Sequence, residues 1–110
     1  MANASLKNIL NKLKDDGFFD NLVIKRGVEK EFFRVNKSGY ISKKSHPESL
    51  GSALTNRYIT TDFAEAQVEL VTPVFEDVNS LYDFLYSLHV FVGQNIDKNE
   101  LLWPFSMPPR

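Results

Sequence analysis

The 110-residue chain has no cysteine, which excludes disulfides, thiolate metal sites and cysteine nucleophiles. Long apolar runs are missing too. Met1 to Lys14 is polar and lysine-containing, unlike a signal peptide, and no later segment is apolar enough to cross a bilayer. Neither sign of charge is in excess: 13 Lys and Arg against 14 Asp and Glu give a net charge of −1, so composition makes no case for nucleic acid or an anionic membrane. There is no glycine-rich phosphate loop, so a nucleotide would have to be held through metal ions and basic residues. Internal repeats and low-complexity tracts are absent. What remains is the ordinary composition of a soluble globular protein, one domain at most, for which a cytoplasmic location is the expectation.

The pattern along the chain predicts an α+β fold. Leu6, Ile9, Leu10 and Leu13 recur at helical spacing between Ser5 and Leu13, predicting an amphipathic helix that stops near Asp16-Gly17 and caps a sheet. Leu22 to Asn36 reads as one long strand, with a turn at Asn36-Lys37-Ser38-Gly39 and Tyr40-Ile41-Ser42 returning as its hairpin partner. Lys43 to Ser52 is a loop by its Pro and Gly content, and its His46 reads as a structural or solvated group. Ile59 to Val74 is a second long strand closed by Pro73. Asp77 to Asn95 is the clearest helix, with Val78, Leu81, Leu85, Leu88 and Val92 in a stripe, Asp77 as N-cap and Gly93 marking the end. His89 flanks that stripe and reads as half-buried. The apolar tail Leu101 to Pro108 suits a segment that continues into, or docks onto, further protein.

The chemistry sits on the two strands. Alternation places Glu29, Glu31 and Phe33 on one face, and Val28, Lys30, Phe32 and Arg34 on the other. On the second strand Glu65, Gln67, Glu69 and Val71 share a face, while Asp62 falls on the apolar parity, so either the strand is irregular there or Asp62 lies in the loop before it. Two such strands side by side would build an acidic face. Clustered carboxylates repel, and a hard divalent cation such as Mg²⁺ is the natural compensation. Solvated strand-face residues are the plain alternative. Against it, these acids alternate with Ala, Val and Phe, and a sheet packed on both sides would leave them lining a cavity. On the residues alone, the reading ends at a Mg²⁺-dependent phosphoryl-transfer site.

Five blocks, in order, resemble bacterial glutamate–cysteine ligases. They are Arg26-Gly27-Val28-Glu29-Lys30-Glu31 with Arg34-Val35-Asn36; His46-Pro47-Glu48-Ser49-Leu50-Gly51-Ser52-Ala53-Leu54-Thr55; Ile59-Thr60-Thr61-Asp62-Phe63-Ala64-Glu65-Ala66; Glu69 with Thr72-Pro73-Val74; and Trp103-Pro104-Phe105-Ser106-Met107-Pro108. The resemblance covers nearly the whole chain beyond the first helix and only the N-terminal portion of the family's length, so residues 1–110 are expected to form the N-terminal segment of a ligase catalytic domain. It implies a glutamine-synthetase-like fold, with an antiparallel sheet curving round an active-site funnel. The implied reaction joins the side-chain carboxyl of L-glutamate to L-cysteine, using ATP and Mg²⁺ and passing through γ-glutamyl phosphate.

On this resemblance Glu29, Glu31, Asp62 and Glu69 match the acids that hold the metal, and Phe63 matches a position lining the cysteine pocket. Arg26 orients the acids or a phosphate oxygen, or else forms a structural pair with a glutamate. Lys30 and Gln67 stand where arginine and an apolar residue are expected, and Asn56 replaces a histidine. The remainder of the ligase polypeptide is the implied partner. Two other readings stay open: a non-catalytic module that binds nucleotide or a partner, and a related ligase joining another amine to glutamate.

Overall fold

The computed structural model describes residues 2–110, with side chains from Ser5 onward. Helix α1 runs Ala2–Asp15. It ends where the sequence places its stop: Gly17 takes φ 72°, its N–H donates to the Lys14 carbonyl, and the Phe18 N–H donates to that of Leu13. This left-handed closure satisfies carbonyls that a helix end leaves without partners. The expected capping of the sheet is not met. Leu6, Ile9 and Leu10 are each about half exposed, because no sheet face meets their stripe.

The four strands are β1 (Glu29–Asn36), β2 (Ile59–Thr60), β3 (Gln67–Val71) and β4 (Glu100–Leu102), in the order β2-β3-β1-β4, all antiparallel. Both long predicted strands are shorter than expected. Ahead of Glu29 the ladder gives way to an isolated bridge between Arg26 and Phe75 and to hydrogen bonds between Val28 and Thr72. There Gly27 lets two backbones close up, since a Cβ on it would lie 3.3 Å from the Pro73 carbonyl oxygen. The second strand breaks at residues 61–66, a loop that turns β2 back along β3. That break resolves the parity conflict at Asp62, which lies in the loop. The turn after β1 forms as predicted: Asn36 Oδ1 accepts from the N–H groups of Ser38 and Tyr40, and Gly39 takes φ 82°. The returning segment bridges β1 at Ile41–Val35, while the full partner on that end of β1 is β4.

Helix α2 (Val78–Asn95) covers one face of the sheet. Asp77 caps it as expected, accepting from the Ser80 N–H at 2.8 Å. The helix runs through Gly93 to Asn95, where Ile96 caps it by donating to the Val92 carbonyl. Phe32, Val68 and Leu70 from the sheet meet Val92, Leu85 and Leu88 from α2, with Ile59 and Leu50 completing the core. His89 stacks on Phe32 with ring centroids 5.3 Å apart. Among the described residues, helices cover this face alone, so the expected cavity over the acids is an open surface instead. The C-terminal tail folds back on the chain: the Trp103 indole donates to the Met107 carbonyl, and the Ile41 N–H donates to that of Arg110.

Candidate metal centre

The register of β1 and β3 sets Glu31 directly opposite Glu69, on the face away from α2. The pairing of Thr60 with Glu69 brings the end of β2 beside them, and the loop that follows delivers Asp62. Carboxylate oxygens of Glu31, Asp62 and Glu69 all lie within 4.8 Å of one another. Glu29 shares their face two residues along β1 and stands outside this group of three. Burial, and then the charges of Glu31, Glu29 and Asp62, push the Glu69 carboxyl above its ordinary pKa. Among the described residues no Lys or Arg forms an ion pair with any of the four; the ion pairs are Lys25–Glu76, Arg34–Glu100 and Lys44–Asp97. An all-oxygen, uncompensated donor set of this kind fits a hard divalent cation.

The remaining sequence candidates are placed differently. Phe63 is 96% exposed, one residue beyond Asp62 on the loop. Arg26 is exposed and pairs through its backbone with Phe75, and among the described residues no hydrogen bond or ion pair joins it to the acids. Glu65 turns outward on the loop. Both ring nitrogens of His46 are buried without hydrogen-bond partners among the described residues, and burial followed by the Arg34 charge lowers its pKa.

Several contributors escaped sequence reasoning. Gln67, buried, donates from Nε2 to Glu31 Oε2 at 2.8 Å and so orients that carboxylate. Its place on the acidic parity was the available signal. Arg34 is fully buried and forms an ion pair with Glu100 at 2.6 Å. Asn56 holds the preceding loop, donating to the Leu50 carbonyl and accepting from the N–H groups of Tyr58 and Ile59.

A family model described as glutamate–cysteine ligase matches residues 9–110. Over 85 residues the chain is 49% identical to a glutamate–cysteine ligase of Sodalis glossinidius, covering 77% of this chain and 16% of that relative. A crystal structure of glutamate–cysteine ligase from Francisella tularensis in complex with AMP aligns with a TM-score of 0.75 at 37% identity, covering 76% of this chain and 17% of that one. A bifunctional glutathione synthetase from Pasteurella multocida aligns at 0.74 and 37% identity, covering 76% of this chain and 11% of that one. The chain therefore spans about a sixth of the length of the curated relative it matches.

Proposed function

The chain belongs to the glutamate–cysteine ligase family, and from that premise we propose that it forms the N-terminal part of an active site joining L-glutamate to L-cysteine with ATP. Its α+β architecture, an open antiparallel sheet with flanking helices, is of the glutamine-synthetase-like type of the ligase structures it matches. In the reaction a side-chain carboxylate oxygen of glutamate attacks the γ-phosphorus of ATP, giving γ-glutamyl phosphate and ADP. The cysteine amine then attacks the acyl carbon; phosphate leaves with the C–O electron pair, and the amine loses a proton. The product, γ-glutamylcysteine, feeds glutathione synthesis, a cytoplasmic process on this reading.

The observation that carries the proposal is the convergence of Glu31, Asp62 and Glu69 without a cationic partner among the described residues. These three would hold Mg²⁺, with Glu29 adding negative charge alongside. When bound, Mg²⁺ supplies charge neutralisation for the phosphate oxygens as the phosphoryl group moves. Phe63 is presented for a cysteine pocket, and Arg26 is free to orient a phosphate oxygen. The open acidic face leaves a wall of the funnel to the remainder of the ligase polypeptide, so the chain by itself is expected to produce no γ-glutamylcysteine.

Isothermal titration of the chain with Mg²⁺, with and without ATP, tests the site. Saturable binding that weakens about tenfold or more in Glu31→Gln and Glu69→Gln is the expected result, the loss of one charged ligand costing at least ~1.4 kcal/mol. Variants that bind Mg²⁺ as the parent does would make these acids solvated surface residues.

A further inference from the structure

Arg34 lies on the face of β1 opposite the acids, and its side chain has no exposed surface. A buried guanidinium is costly unless each of its donors is used, and its planar fork can serve several acceptors at once. Here Nη1 meets Glu100 Oε2 at 2.6 Å, and Nη2 donates to the Lys44 carbonyl at 2.9 Å and the Glu65 carbonyl at 2.8 Å, while Nε is buried without a hydrogen-bond partner among the described residues. The backbone N–H of Arg34 also donates to the Ala66 carbonyl, at 2.7 Å. Two successive carbonyls of the loop 61–66 are thus tied to one residue of β1, and through its guanidinium to β4.

That loop carries Asp62; the Gln67 N–H closes its last turn on the Ala64 carbonyl at 2.9 Å, and a further tie lies just before its start. Thr60 Oγ1 donates to the Ala53 carbonyl, while Phe63, in between, is almost wholly exposed. The position of Asp62 against Glu31 and Glu69 therefore depends on the Glu65–Ala66 end being held. We propose that Arg34 is the positioning residue of the acidic centre: its buried fork fastens the loop 61–66 to β1 and β4 and thereby sets the Asp62 carboxylate against Glu31 and Glu69. The consequence for metal binding rests on the proposed Mg²⁺ reading; the fastening of the loop does not.

Two variants separate this from a purely structural ion pair. Arg34→Lys keeps the charge but replaces the fork by one ammonium, which cannot serve Glu100, Lys44 and Glu65 in the same arrangement. Arg34→Met with Glu100→Met removes the buried pair together, a change that commonly leaves stability unharmed. Amide hydrogen exchange and Mn²⁺ titration are then read on the 110-residue chain, with Asp62→Asn for comparison. In both variants, exchange of the amides of residues 34 and 67, which donate to the Ala66 and Ala64 carbonyls, is expected to rise about tenfold while the rest of β1 and β3 stays protected, and Mn²⁺ affinity to fall toward that of Asp62→Asn. Parental exchange rates at these two amides in the double variant would overturn the proposal. A parent chain with no saturable Mn²⁺ binding would instead overturn the metal reading, and exchange at the two amides would still decide the role of Arg34.

Discussion

Glu69 carries the electrostatic cost of the acidic face. It is partly buried, stands directly across from Glu31, and feels Glu29 and Asp62 as well. Like charges directly opposite on neighbouring strands destabilise a sheet, by roughly 0.2–1 kcal/mol, and solvent screening favours the lower end here. A carboxyl whose pKa is raised on folding binds more protons folded than unfolded. Its contribution to stability therefore falls as pH rises from the ordinary carboxylate range through the raised value. With metal chelated, Glu69→Gln should raise the melting temperature at pH 7 by up to a few degrees, and the gain should vanish below the ordinary carboxylate range, where both side chains are neutral. Melts at pH 7 and at acidic pH decide it: a variant that is less stable at pH 7 would mean Glu69 is held by favourable contacts. The acidic face shared by Glu31 and Glu69 was legible in the sequence because alternation along a strand is a local rule. Their standing directly opposite, like the bond of Gln67 to Glu31, depends on a cross-strand register that one strand cannot reveal. Arg34 was harder still, since its partners Lys44, Glu65 and Glu100 come from three separate segments.

The elements show the same division between local and distant causes. The end of α1 and the start of α2 were readable because Gly17 and Asp77 act within a few residues of themselves. The break at residues 61–66 showed in the sequence only as the parity conflict at Asp62, and the pairing of β4 with β1 did not show at all, because its partners lie far apart along the chain. Just ahead of β1, the path of the chain depends on Thr72, whose hydroxyl accepts from the Val28 N–H at 2.9 Å while its own N–H donates to the Val28 carbonyl. Thr72 is buried, so Thr72→Val keeps the shape and leaves the Val28 N–H without its acceptor. The expected loss is about 1–3 kcal/mol. At about 4–8 °C per kcal/mol, thermal denaturation would resolve it readily. An unchanged melting temperature would show that water satisfies the Val28 N–H equally well.

At the scale of the whole chain, the dimensions are those of an open piece of structure. The radius of gyration is 19.9 Å, against about 13 Å for a compact chain of this size. The longest extent, 57 Å, is about twice the second, 29 Å, and well over twice the third, 22 Å. Helix α1 accounts for much of this openness, since its apolar stripe finds no sheet face to bury against. An isolated helix of 14 residues is marginal in water, and tertiary packing normally supplies its stability. Among the described residues, the core of Phe32, Val68, Leu70 and Val92 draws nothing from α1. Removing residues 1–16 should therefore shift the melting temperature of the 110-residue chain by no more than about 2–4 °C, the equivalent of roughly 0.5 kcal/mol. In a complete ligase that covers the Leu6, Ile9 and Leu10 stripe, the same deletion should cost several times as much, because each buried leucine or isoleucine then contributes about 1.5–3 kcal/mol. Parallel melts of the two, each with and without residues 1–16, compare these costs directly. A large loss in the short chain would mean α1 already packs on the sheet. Equal, small losses in both would mean its apolar face stays uncovered even in a chain of full ligase length.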